Sequence, residues 1–307
     1  MIRNFLFHRV FPERDILWDP MDIKLFEKCI KHLSNNYDVV RIEDLVKSGN
    51  MGGKDKYATI NFDDGYKDNI EYAAPILAKY HCNASFYVVT DCIDKNVPTW
   101  THVLEHTFQH TQFPKIDLNF EFLSPELRVS ELPTKEARIA YVKKLKPFLK
   151  GISHDNRNMV LETVVHTFKD AELPQLMMNW EDLKQLHNAG HYIGSHTVTH
   201  CMLGTMDNIE EINHELKYSA ERIQTNLGYF PITISYPVGS FNETTKRLSK
   251  EAGYEIGLAV KQNTYNPQKD DIFEIPRIEL YNEPWWKTRL RITNTLENIK
   301  TLIGYKK

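Results

Sequence analysis

Thr59-Ile60-Asn61-Phe62-Asp63-Asp64-Gly65 is an apolar, β-prone run that ends in two adjacent carboxylates and a glycine. Along an extended chain neighbouring side chains leave on opposite faces, so Asp63 and Asp64 at a strand end would splay apart. Gly65 allows a sharp turn directly after them, and the two carboxylates can then serve one site in different roles. One can bind a metal while the other stays free to take a proton. Asp-Asp-Gly also describes an ordinary surface turn, so the surrounding chain decides between the two.

Upstream, Ile2 to Phe7 reads as a strand with His8 at its carboxyl end, and a helix follows from about Met21 with Ile23, Phe26, Ile30 and Leu33 on one face. Tyr37 to Ile42 is a second strand and Tyr57 to Phe62 a third. Downstream the strand-like runs are Asn83 to Val89, His191 to Ser195, Pro231 to Tyr236, Tyr254 to Val260 and Phe273 to Leu280. Between them lie amphipathic helices. One is capped by Asn179 and stopped at Gly190; another carries Ile209, Ile212, Leu216, Ile223 and Leu227 inward and ends before Gly228; a third runs from the Asn242 cap to Gly253. Eight strands separated by helices predict an α/β fold, a parallel (β/α) barrel formed by one domain over 1–307. Function in such barrels gathers at the carboxyl ends of strands. His8, Asp63, Asp64, His196, His200 and the turn at Pro237 all fall at such ends.

From about 98 to 178 the rhythm changes. No good strand is evident, and helical segments such as Lys135 to Leu149 and Asn158 to Phe168 dominate, which predicts a helical insertion serving as a lid or a dimer surface. His102, His106 and His110 recur every four residues and so share a helix face, read here as polar and exposed. At the other end, Trp285 and Trp286 precede Lys287, Arg289 and Arg291, with Ile292, Leu296, Ile299 and Ile303 at helical spacing. This segment, 285–303, is expected to be a helix packed on the barrel, with an interfacial helix near a lipid-linked sugar as the alternative.

With 307 residues, 41% hydrophobic and 26% charged, the chain can bury a sizeable core. A net charge of −3 gives no basis for a nucleic-acid partner. Four cysteines without a Cys-x-x-Cys pairing suit buried thiols in a reducing compartment. The apolar run at Met1 to Phe7 is too short for a signal peptide, and no stretch of about 18 apolar residues exists, so the expected location is the cytoplasm.

His196 and His200 stand four apart, and two imidazoles with one carboxylate form a common ligand set for a catalytic divalent ion. Two unrelated polar histidines on a loop are the alternative. An ion held by Asp64, His196 and His200 would lower the pKa of a water and polarise a carbonyl, which makes acyl hydrolysis the natural chemistry. Asp63 would then take the water's proton, and His8 has a suitable pKa range to protonate the leaving group.

Thr-x-x-Phe-Asp-Asp-Gly, Ser-His-Thr-x-x-His and Tyr-Pro-x-Gly, in this order, resemble the polysaccharide deacetylases of carbohydrate esterase family four. The resemblance covers roughly residues 2 to 280, with 98–178 poorly matched. It implies a distorted barrel of seven or eight strands and removal of N-acetyl groups from an amino sugar in a glycan or glycan precursor. Asp63 would be the base, Asp64, His196 and His200 the ligands of zinc or a similar ion, and the Val238 N–H an oxyanion donor; the Tyr236-Pro237-Val238-Gly239 turn would contribute Tyr236, Pro237 and Gly239 to substrate binding. Two departures stand out. Where many relatives carry an arginine two residues before the motif proline, this chain has Ser235, and Arg277 is the candidate replacement or else a structural salt bridge. The usual late Leu-x-His is missing, and Phe7-His8-Arg9-Val10 is similar to an early motif of the poly-N-acetylglucosamine deacetylase branch. A deformylase or other C–N hydrolase on a lipid- or nucleotide-linked sugar, and a barrel that binds glycans without turnover, are the competing expectations.

Overall fold

The chain is described here by a computed structural model over residues 1–49 and 56–296. Its strands in chain order are β1 (Arg3–Phe7), β2 (Asp38–Val39), β3 (Tyr57–Phe62), β4 (Ser85–Val88), β5 (Lys115–Asp117), β6 (Val129–Glu131), β7 (Tyr192–Ser195), β8 (Thr233–Ser235), β9 (Ile256–Leu258) and β10 (Ile278–Glu279). All but β5 and β6 form one parallel sheet in the order β10-β1-β3-β4-β7-β8-β9, with β2 paired to the start of β3. A parallel bridge between Leu258 and Ile275 brings the two ends of this order together. The result is the expected distorted (β/α) barrel.

Parallel strands need crossovers, and the helices that supply them bury their apolar faces against the outside of the sheet. Phe7, Phe26, Phe62 and Phe86 lie in the largest buried cluster, where the rings of Phe62 and Phe86 stack at 4.9 Å. The barrel interior is polar instead. Glu43, fully buried, accepts hydrogen bonds from Ser85 Oγ (2.8 Å), Tyr87 Oη (2.8 Å) and Thr233 Oγ1 (2.9 Å). Burial pushes its carboxyl pKa up, and these three donors draw it part of the way back.

Several expected strands are shorter than their apolar runs, most of all the second and the last, which keep two residues each. β2 stops at Val39 because Arg41 opens a helix over Ile42–Ser48, so Ile42 packs inward from a helix. Of the run Phe273 to Leu280, Ile272–Glu274 forms a 3₁₀ turn and only Ile278–Glu279 pairs as strand.

The 98–178 insertion is mainly helical, as its pattern predicted, with helices over Trp100–His110, Lys135–Lys150 and His154–Thr167. It also contains the antiparallel β5–β6 pair, three residues a side and too short to leave a periodic signal. Leu104, Phe108, Leu145, Leu149 and Val160 give it a core of its own. On the His102, His106 and His110 face, His110 is exposed, while His102 turns inward to bond Tyr66 Oη at 3.0 Å. Burial pushes the His102 pKa down to about 4.

At the carboxyl end a helix covers Trp285–Ile292; Ile292 is buried in the main core and Trp285 packs against it. Residues Ile299 and Ile303 of the expected segment lie outside the described residues. No helix among the described residues is long and apolar enough to cross a membrane.

Candidate active site

At the end of β3 the chain leaves extended geometry at once: Asp64 has φ +76° and Gly65 φ +93°. The splay expected of adjacent strand residues is thereby cancelled, with Asp64 itself in the left-handed region and not only the glycine after it. A Cβ on Gly65 would meet Ile93 Cδ1 at 3.0 Å, so the turn also needs the missing side chain. The β7 end shows the same device, with Thr197 at φ +67° and His200 at φ +60°. Left-handed non-glycine residues are costly, and four of the seven among the described residues, Asp64, Thr197, His200 and Val238, lie at this site.

The loop after β7 is held from below. Glu215, on the helix Ile209–Leu227, accepts from Val198 N (2.8 Å), Thr199 N (3.0 Å) and Thr199 Oγ1 (2.6 Å). His196 N donates to Val88 O, tying the loop's start to β4, and Trp100 Nε1 donates to His200 O.

These loops bring Asp64, His196 and His200 together. His196 Nε2 lies 3.4 Å and His200 Nε2 3.3 Å from Asp64 Oδ1, and all three side chains are buried. His196 Nδ1 is 2.7 Å from Ser235 O, and a carbonyl can only accept, so Nδ1 carries the proton and Nε2 presents its lone pair to Asp64. Asp64 Oδ1, though buried, has no hydrogen-bond partner among the described residues. A buried carboxylate oxygen without a hydrogen bond, facing two imidazole nitrogens of which at least that of His196 offers a lone pair, suits a cation. Ligand bonds of about 2.0–2.1 Å in a tetrahedral zinc site put neighbouring ligand atoms about 3.3–3.4 Å apart, and the two Asp64 contacts have that spacing. The residues therefore fit a divalent ion.

Asp63 lies beside this group, its Oδ2 3.9 Å from His196 Nε2, and is held by a different partner. Arg277 grips it with Nη1 to Oδ1 and Nη2 to Oδ2, both 2.8 Å, in the bidentate arrangement that suits a guanidinium. Ser235 Oγ closes the group, accepting from Arg277 Nη2 (2.9 Å) and lying 3.1 Å from Asp63 Oδ2. The position expected to hold arginine is thus a small hydroxyl, and the guanidinium comes in just before β10. Burial alone would raise the Asp63 pKa; the charge and hydrogen bonds of Arg277, together with the nearby histidines, outweigh it and leave the carboxyl below its ordinary range. Desolvation pulls His196 down, but Asp63, Asp64 and the Ser235 carbonyl together outweigh it and its pKa is raised, whereas for His200 desolvation prevails and its pKa is lowered.

His8, Asp63, Asp64, His196, His200 and Val238 line one cavity of about 340 Å³. His8 Nδ1 is 3.6 Å from Glu279 Oε1 on β10, and its ring stands edge-on to Trp18. Of the turn after β8, Val238 at φ +58° faces the cavity, while Tyr236, Pro237 and Gly239 do not line it. The expectation that these three touch substrate is not matched by their placement: the Tyr236 ring is buried against Phe241 at 4.9 Å, and Gly239 sits close under Val260. Sequence reasoning missed Glu215, which a charged residue on the inward face of an amphipathic helix could have flagged. It also missed Trp18, Glu279 and the lysines described below, for which no motif existed.

Among curated proteins none matches the chain. Among solved structures, the deacetylase PplD from Streptococcus pyogenes in complex with acetate is similar at a TM-score of 0.62 and 16% identity, over 96% of each chain. The de-N-acetylase from Aggregatibacter actinomycetemcomitans matches at 0.58 and 16%, over 95% of this chain and 99% of that one, and IcaB from Ammonifex degensii at 0.60 and 14%, over 95% and 96%. At these identities the likeness speaks for the fold alone. The sequence carries the family: the polysaccharide deacetylase model matches residues 50–131 and 150–257, more than half of the chain, and the protein belongs to that family of glycan N-deacetylating hydrolases.

Proposed function

We propose that the protein is a metal-dependent N-deacetylase acting on an amino sugar of a glycan or glycan precursor. The convergence of Asp64, His196 and His200 at ligand-to-ligand spacing, beside a separate carboxylate already paired to an arginine, is the observation that carries this. Asp64, His196 and His200 would hold the ion, with zinc the best match to one carboxylate oxygen and two imidazoles. When bound, such an ion supplies Lewis acidity, which lowers the pKa of a water and polarises an acyl oxygen.

The chain's own groups account for the proton traffic. Asp63, kept ionised by Arg277, takes a proton from the attacking water; a carboxylate left neutral by burial could not. Arg277 acts through Asp63 as a positioning residue, fixing both oxygens so that one lone pair faces the cavity. His8, on the cavity wall and backed by Glu279, returns a proton to the departing amine. The Val238 N–H, on a turn strained into the left-handed region, faces the developing oxyanion.

The test is acetate release from N-acetylglucosamine oligomers. A strong chelator should abolish release and added zinc restore it, while Asp64→Ala should be inactive with or without zinc. His8→Gln should lower kcat about a hundredfold and leave metal content unchanged. Full turnover by a metal-stripped protein would defeat the proposal; release of formate but not acetate would turn it toward a deformylase.

A further inference from the structure

The wall of the active cavity opposite the strand ends is built by the insertion. Thr101 and Glu105 reach it from the helix Trp100–His110, and Lys146 and Lys150 from the helix Lys135–Lys150. The second helix bridges the two family-matched stretches: Thr101 and Glu105 fall in the first, Lys150 opens the second, and only Lys146 of these four lies between them.

Its charges do not cancel. Asp63 is paired to Arg277, Glu105 to Lys146, and Glu279 faces His8, while Asp64 meets two imidazoles. Lys150 is left with no hydrogen-bond or ion-pair partner among the described residues, although it is half-buried and lines the same cavity. Burial, together with neighbouring Lys146, pushes its ammonium pKa down against the weaker pull of Glu105 and Glu279, neither of which is within ion-pair distance. An anion entering the cavity would relieve that cost. So compact a cavity also keeps Lys150 within about one or two sugar rings of the strand-end carboxylates.

We propose that Lys150 is a specificity-determining residue that selects substrates bearing an anionic group, a carboxylate or a phosphate, on or next to the acetylated amino sugar. This deepens the deacetylase proposal and rests on it. The competing account is local: Lys150 closes its helix, where a cation favourably meets the carbonyl end of the dipole, and would then influence stability only.

Three acetylated sugars separate these accounts: methyl N-acetylglucosaminide (neutral), N-acetylglucosaminuronate (carboxylate) and N-acetylglucosamine 1-phosphate (phosphate). Each is followed by acetate release and by the thermal shift it causes in the zinc-loaded, full-length protein. The wild type should prefer at least one anionic sugar, and which one names the anion. Lys150→Gln should reduce the ratio of anionic to neutral kcat/KM about tenfold, through KM, and Lys150→Arg should retain it. Equal kcat/KM for all three sugars, or a Lys150→Gln loss that falls equally on them, would overturn the assignment while leaving deacetylation intact. If no sugar is turned over, a Lys150-dependent thermal preference for the anion upholds the anion site and rejects the deacetylase reading; a shift indifferent to Lys150 rejects both.

Discussion

The floor and the insertion wall of the cavity are built on opposite terms. On the floor, Asp63, Asp64, His196, His200 and Arg277 are all at most 4% exposed; all sit at or beside strand ends, and hydrogen bonds within the barrel fix Asp63, His196 and Arg277. On the wall, Lys146 and Lys150 project from one helix of the insertion, whose apolar core is separate from the barrel's. The contrast teaches that the floor cannot change without disturbing the reaction, whereas the wall can change its charge and leave the reacting atoms in place. Floor variants should therefore act on kcat, and wall variants on KM and substrate choice.

The largest effect should come from Asp63→Asn. The amide keeps the shape but cannot take a proton, so kcat should fall about a thousandfold with KM within a few-fold. The same change leaves buried Arg277 facing a neutral partner, a loss of about 3 kcal/mol that would appear as a lower Tm. A drop in kcat of less than about tenfold would remove Asp63 from its assigned role.

Arg277→Lys sharpens the contrast by altering a floor residue that touches no reacting atom. A single ammonium cannot fork across both Asp63 oxygens and Ser235. Burial raises the Asp63 pKa and Arg277 lowers it, so weakening the pair lets the pKa climb. The acid limb of kcat/KM should then move to higher pH, with activity at neutral pH down about tenfold and partly recovered in mild alkali. Linkage gives the matching sign for stability. A carboxyl depressed in the folded state stabilises above its unfolded pKa, near 3.8, and loses that contribution as pH falls through the folded value. The wild type should consequently lose more stability in acid than Arg277→Lys. An unmoved pH profile in Arg277→Lys would mean that the ion pair is purely structural.

The same contrast governs what could be read from the chain. Tyr57–Phe62 was legible to the residue because an apolar β-prone run stops at two carboxylates, and Asp64, His196 and His200 because ligand types at strand ends are few. The role of Ser235 was only half legible: a missing arginine signals a replacement, but the partner that supplies it depends on barrel closure, which joins Asp63 to Arg277 across 214 positions. Of the turn after β8, the residue types pointed to a site yet not to which of them face it; a left-handed Val238 with Tyr236 turned into the core is a backbone outcome. The wall was illegible for a plainer reason. A lysine on an amphipathic helix is ordinarily solvated, and only the packing of Trp100–His110 against Lys135–Lys150 turns Lys150 toward the cavity.

The smallest effect, and the cleanest probe of the wall, should come from Glu105→Gln. Glu105 is almost fully buried beside Lys146, and burial raises its pKa against the pull of that lysine. Lys146 is left without its partner, but unlike buried Arg277 its side chain is partly exposed and can turn its ammonium to water, so the neutral amide should cost less than Asp63→Asn and lower Tm by only a few degrees. What it changes is the balance of charge. Lys146 loses its counter-ion, the wall gains one positive charge beside Lys150, and the floor keeps every contact described above. KM for an anionic sugar should fall about two- to fivefold while kcat and the pH profile stay put. A fall in kcat instead would show that wall and floor are one electrostatic unit, and the division between reaction and selection would not hold.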